Sequence, residues 1–264
     1  MEMKKIIVGL LLIFPLFILN SCNDWEDESY HPGGSDGPEV IMLLKESTQN
    51  YANGITGKYQ YTYDSENRLS KILIHMDTSI TDSYSEATYS YSGNTHVDLV
   101  VTTYMFGMEV SKANFSSDIS GNTQTTNIEH FQDGESIGTM ISVATFSAPC
   151  GITENTVTTN FPGFPPMQST ATYEYTDSNC SYKEMVDGTL ATIVTNDDKF
   201  SPIITGVEDF IPGYVRHNPI KVENQAENIV ETITYTYNEN DYPETASHTF
   251  SDEGMNYTET FTYY

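Results

Sequence analysis

The sequence predicts a mainly β protein, an antiparallel meander of about a dozen strands, strongly curved or closed part-way into a barrel. Tyrosine and threonine alternate in short runs, as in Tyr59-Gln60-Tyr61-Thr62-Tyr63 and Thr234-Tyr235-Thr236-Tyr237. Turn-forming Asx residues follow at once, in Asp64-Ser65-Glu66-Asn67 and Asn238-Glu239-Asn240-Asp241. Helical periodicity is missing apart from short turns around residues 207–211. Alternation puts the tyrosines of each run on one strand face and the threonines on the other. Asn and Asp suit the turns because their side chains bond nearby backbone and tolerate left-handed conformations.

The chain opens with an export segment. Lys4 and Lys5 precede an apolar run from Ile6 to Leu19, which is shorter than the roughly 20 residues a spanning helix needs. Ser21 then stands directly before Cys22, so residues 1–21 read as a lipoprotein signal peptide and Cys22 as the lipidated N-terminus. A diacylglycerol thioether plus an N-acyl chain meets the need for more than one chain in stable anchoring. Residues 22–38 form an acidic, flexible tether that includes Asp24, Glu26, Asp27, Glu28 and the Pro32-Gly33-Gly34 stretch. Residues 39–264 remain as a single all-β domain of tyrosine-rich hairpins.

Within that domain, strands are expected at residues 40–46, 59–63, 68–74, 88–91, 97–103, 125–132, 138–146, 153–159, 171–176, 190–195, 232–237, 244–250 and 257–263. The proline-broken segments 160–167 and 200–219 read as loops, because proline cannot donate to a central ladder. Their apolar residues Phe161, Phe164, Met167, Phe210 and Tyr214 are the candidate ligand-binding set, able to cap the open end of a curved sheet; a simple hydrophobic plug is the competing reading.

The segment Tyr61-Thr62-Tyr63-Asp64-Ser65-Glu66-Asn67-Arg68-Leu69-Ser70-Lys71-Ile72 resembles Bacteroidetes lipoproteins with a domain of unknown function that has a porin-like or open-barrel β fold. The C-terminal part from Asn218-Pro219-Ile220 to Tyr242-Pro243-Glu244 is similar to the same group, with Asp241 where members commonly carry glycine. The resemblance covers residues 39–264 and implies no catalytic residues. Separately, the acidic run Asn23-Asp24-Trp25-Glu26-Asp27-Glu28 resembles the signal that sends lipoproteins of the Bacteroides group to the outer face of the outer membrane.

Composition and motifs limit the chemistry. The formal charge of −26 repels nucleic-acid backbones. Its 19 tyrosines and 12 phenylalanines supply the material for a packed core, which argues against disorder. The six histidines have no zinc-type spacing, so no metal site is assigned. Calcium could use the oxygen-rich turns, yet no loop has the defined calcium spacing, and no cofactor is expected. Cys150 and Cys180 can pair in an exported protein or remain free. The acidic pairs Asp197-Asp198, Glu208-Asp209 and Asp252-Glu253 read as solvated turns.

No nucleophile elbow, phosphate loop or dinucleotide fingerprint is present. The expected role is a non-enzymatic binding or accessory module at the outer membrane or cell surface. Its partners would be the bilayer, through modified Cys22, and a glycan, an apolar ligand or an envelope protein. The alternatives are a glycan-active enzyme, which needs two carboxylates across a cleft, and a structural or adhesive envelope protein.

Overall fold

The computed structural model describes residues 42–93, 95–147, 150–200 and 217–264. The described residues form sixteen strands. In chain order these are β1 (Leu44–Tyr51), β2 (Thr56–Tyr63), β3 (Leu69–His75), β4 (Tyr84–Ser92), β5 (His96–Met105), β6 (Met108–Ser120), β7 (Thr123–Gln132) and β8 (Glu135–Ser147). The second half comprises β9 (Gly151–Asn160), β10 (Met167–Tyr175), β11 (Tyr182–Val186), β12 (Thr189–Phe200), β13 (His217–Asn224), β14 (Ile229–Tyr237), β15 (Pro243–Phe250) and β16 (Tyr257–Tyr263). Each strand pairs antiparallel with its sequence neighbours, and β1 pairs with β16 from Leu44↔Tyr263 to Tyr51↔Tyr257. The meander is therefore a closed barrel, which corrects both the expected strand count and the partial closure.

Three strands escaped the alternation pattern for identifiable reasons. The inward residues of β6 are Ser111, Ala113, Phe115, Ser117 and Ile119, so small polar side chains interrupt the apolar signal. β11 is only Tyr182–Val186. β13 contains Pro219, inside a segment read as loop; it is tolerated because it pairs with Asn196 at a register shift, where the regular ladder is already broken. The first strand begins at Leu44 and runs to Tyr51, later than expected. The expected helical turns at 207–211 lie outside the described residues; a 3-10 turn is found at Glu253–Met255.

The barrel wall separates two chemistries. Tyr59, Tyr61 and Tyr63 face inward opposite Ile74, Ile72 and Leu69. There they pack with Ala87, Leu99, Phe115 and Ile128 in the main core. A second cluster of Leu44, Ile233, Ala246 and Phe261 shares Tyr61 with the first. Pairs of the opposite phase stand outside: Thr62 with Lys71, Glu86 with Thr102, Glu174 with Lys183 and Lys221 with Thr232.

Antiparallel order also sorts the connections between two ends. The entry end receives the chain before β1 and holds the turns after the even-numbered strands. The far end holds the turns after the odd-numbered strands. At the entry end the three Asx turns share one geometry. Asp64 Oδ1 accepts the backbone N–H groups of Glu66 and Arg68, Asp177 Oδ1 those of Asn179 and Ser181, and Asn238 Oδ1 those of Asn240 and Tyr242. The left-handed residue is Asn67 (φ 61°), Cys180 (φ 58°) or Asp241 (φ 63°). Asp241 thus fills a glycine-type position, held there by the Asn238 side chain.

Five tyrosine hydroxyls close this end. Tyr63 donates to the Leu44 carbonyl (2.8 Å), Tyr91 to Leu69 (2.5 Å), Tyr175 to Ile152 (2.7 Å), Tyr235 to Pro219 (3.1 Å) and Tyr263 to Pro243 (2.8 Å). Every acceptor lies immediately before a residue skipped by the ladder, at a register shift of its own strand. Replacing Tyr91 with Phe keeps the ring and removes the Leu69 donor, an expected loss of about 1–3 kcal/mol in urea unfolding. Tyr104→Phe, on the outer wall, should change stability by less than about 0.5 kcal/mol.

Candidate functional site

The far end has a composition unlike the rest of the surface. Its turns place Ile55, Met76, Ile80, Phe106, Phe164 and Met255 in solvent, with Met105, Met108 and Met167 beside them at strand ends. Phe164 is 71% exposed, Phe106 66% and Met108 64%. The same turns carry Asp77, Asp82, Asp133, Asp187, Glu227, Asp252 and Glu253, and no lysine or arginine. Cations gather instead at the entry end, where Lys199 pairs with Asp241 at 3.0 Å and Arg68 with Asp64 at 2.8 Å.

Sideways backbone bonds tie four successive far-end turns together. Ala52 N–H donates to the Asn256 carbonyl (3.0 Å), Thr78 to Thr56 (2.8 Å) and Gly107 to Asp82 (2.8 Å). Phe106 N–H also reaches the Ser83 hydroxyl at 3.1 Å. The turns after β15, β1, β3 and β5 therefore form a connected arc. Below its outer edge Tyr84 stacks on Tyr104 with ring centroids 4.8 Å apart, and His75 lies against Tyr84.

Inside the wall, beneath the same arc, runs a polar chain. Glu231 of β14 and Glu259 of β16 flank His248 of β15, all facing inward. His248 Nδ1 lies 2.6 Å from Glu231 Oε1, and Nε2 lies 3.7 Å from Glu259 Oε2. Gln49 donates to Glu259 at 3.4 Å, and Tyr51 donates to Gln49 at 2.7 Å. Tyr257 stacks on the imidazole at 4.0 Å. Burial resists charging of His248, but the hydrogen bonds and negative charges of the two glutamates outweigh it and raise the imidazole above its ordinary value. Burial, with Tyr51 and Glu259 nearby, pushes the Tyr59 phenol up to about 12. The arrangement places one imidazole between two carboxylates. Elsewhere inside, between β8 and β11, the facing residues are polar and half-buried: Ser142 bonds Asn155 at 2.8 Å and Tyr173 bonds Glu184 at 3.1 Å.

Of the five apolar residues singled out from sequence, Phe161, Phe164 and Met167 are described, in and beside the far-end turn after β9. Phe164 and Met167 are exposed at the far end. Phe161 belongs to the same turn, but its ring lies against Gly138, where an added Cβ would meet it at 2.8 Å. Phe210 and Tyr214 lie outside the described residues. Sequence reasoning missed the arc from Met255 to Met108. Its signal was Met105-Phe106-Gly107-Met108, apolar residues in a two-residue turn where polar ones are usual.

At the entry end Cys150 and Cys180 form a disulfide with Cα atoms 5.4 Å apart. Asp197 is not a solvated turn residue. It accepts the Lys199 and Asn218 backbone N–H groups and the Tyr237 hydroxyl. Asp252 does cap its own turn through Gly254, while Glu208 and Asp209 lie outside the described residues. Of the histidines beside strands, His130 faces inward and burial lowers its affinity for a proton. Among the described residues, no three His, Cys, Asp or Glu side chains are grouped to hold a metal. Cys22 also lies outside the described residues.

No family model matches the chain. No curated protein matches it either. Among solved structures it is similar to a porin-like protein from Bacteroides vulgatus ATCC 8482, at 9% identity and a TM-score of 0.47, over 84% of this chain and 99% of that one. It is also similar to a porin-like protein from Bacteroides uniformis ATCC 8492, at 14% identity and a TM-score of 0.35, over 84% and 96% of the two chains.

His248 provides a pH test of the buried network. Its raised proton affinity contributes stability that is complete below the unfolded value of about 6.5 and is lost as pH rises through the higher folded value. The stability advantage of the natural protein over His248→Gln should be largest near pH 6 and shrink toward pH 9, measured by urea unfolding at each pH. An advantage independent of pH would remove the charged imidazole from the account.

Proposed function

We propose that this protein is a lipid-anchored component of the outer membrane or cell surface whose barrel stands in water and serves as a non-enzymatic binding or accessory module. The observation that carries this reading is the outer wall. Charged pairs such as Lys71 with Glu86 (2.5 Å) and Glu174 opposite Lys183 sit along it, between threonines. A barrel that spans a bilayer presents an apolar belt there, and a lysine at mid-depth costs about 2–4 kcal/mol. The inward tyrosines and aliphatic residues pack against one another, so much of the interior is core and not conduit. Support for the anchor comes from the sequence alone, from Ser21-Cys22 after the apolar run. With attachment before β1, the entry end faces the membrane and the far end faces away.

Two measurements test this reading. Cys22→Ser should shift the protein from the membrane fraction to the soluble fraction on cell fractionation; unchanged retention would defeat the anchor. The full chain added to a planar lipid bilayer should leave conductance at baseline. Stepwise channel currents would overturn the water-exposed barrel in favour of a pore.

A further inference from the structure

We propose that the far end is a docking surface for a protein partner whose contact face combines apolar side chains with lysine or arginine. The inference rests on the reading of the barrel as a water-exposed binding module and adds the chemistry of its partner. Exposed apolar side chains are ordinary when scattered, and informative when gathered. Here nine of the twelve exposed large hydrophobics among the described residues lie at one end of the barrel, and seven of those fall on the four bonded turns of the arc or on the strand ends that flank them.

Phe106 shows that the gathering is held against backbone preference. It occupies the first position of a two-residue turn at φ 51°, followed by Gly107 at φ 74°. A bulky residue in this left-handed region is a conformational outlier, and asparagine is the residue such a turn favours. The phenyl ring gains little in return from the barrel, since it is 66% exposed. Methionine supplies much of the remaining surface, with a flexible, polarisable side chain suited to binding faces.

Charge selects the occupant. The far-end turns are acidic without a single lysine or arginine, so a cationic face is attracted and an anionic lipid surface repelled. A second copy meeting end to end would bring two acidic rims together. Residues 22–41 carry several acids and no lysine or arginine, so the tether is repelled as well. A basic, amphipathic protein segment is the occupant that satisfies both the apolar arc and its carboxylates.

The test titrates the full-length Cys22→Ser protein with an amphipathic helical peptide built from leucine and lysine, and in parallel with its leucine–glutamate counterpart. The leucine–lysine peptide should bind, and the leucine–glutamate peptide should not. The decisive variant is Phe106→Asn with Met108→Thr, which changes no charge and gives the turn a residue it favours. It should weaken leucine–lysine binding about tenfold, while Tyr264→Ser at the entry end leaves binding unchanged. Equal binding by natural and variant proteins, or equal binding of both peptides, overturns the proposal. Binding to phosphatidylcholine vesicles without peptide binding would assign the arc to lipid, and arc-dependent dimers in sedimentation would assign it to a second copy; either result overturns it. Failure of the anchor or of the water-exposed barrel is read separately, in fractionation and bilayer conductance.

Discussion

The barrel depends on a bond made five times at one end: a tyrosine hydroxyl donating to a backbone carbonyl beside a β-bulge. A bulge bends and twists a strand, as wall curvature requires, but it locally disrupts the ladder. A buried acceptor without a donor costs about 1–3 kcal/mol. Tyrosine serves both demands with one side chain, since its ring joins the packed interior and its hydroxyl supplies a donor at the bulge. This is why phenylalanine, equally apolar, is not equivalent at these positions.

The tyrosine–threonine alternation follows from the same requirement. Threonine is β-branched, suits a strand and takes the outer phase, where hydroxyls meet water and each other, as Thr236 and Thr245 do at 2.7 Å. Tyrosine takes the inner phase. The pattern puts polar side chains on the outer face of the wall, opposite in sense to the apolar-out pattern of a bilayer barrel.

Much of this was legible before the structure. The three repeated Asx turns at 64–67, 177–180 and 238–241 were visible because Asp and Asn announce themselves, and the strands around them alternated cleanly. Strand number was less legible. Ser111, Ala113 and Ser117 share the inward face of β6 with Phe115 and Ile119, so small and polar side chains interrupt the apolar signal there. Curvature and partial closure were expected, but full closure was not: the β1–β16 seam joins Leu44 to Tyr263, a pairing that no local pattern encodes. At the candidate site, the proline-rich turn drew notice through Phe161 and Phe164. The larger arc went unseen because its members are contributed by turns distant in sequence, from Ile55 to Met255, that only closure makes neighbours.

Closure also divides labour between the ends. At the entry end the five tyrosine latches, the Cys150–Cys180 bridge and the Lys199–Asp241 pair fix strand ends to one another. At the far end, Asp133-Gly134 and Asp187-Gly188 reverse the chain with left-handed residues, and the Asp187 carboxylate also accepts the Thr170 N–H and the Ser169 hydroxyl. The turn after β5 carries Phe106 in a left-handed conformation, a residue that stability alone does not select there. The same antiparallel order that sends the chain in at one end places the exposed apolar arc at the other.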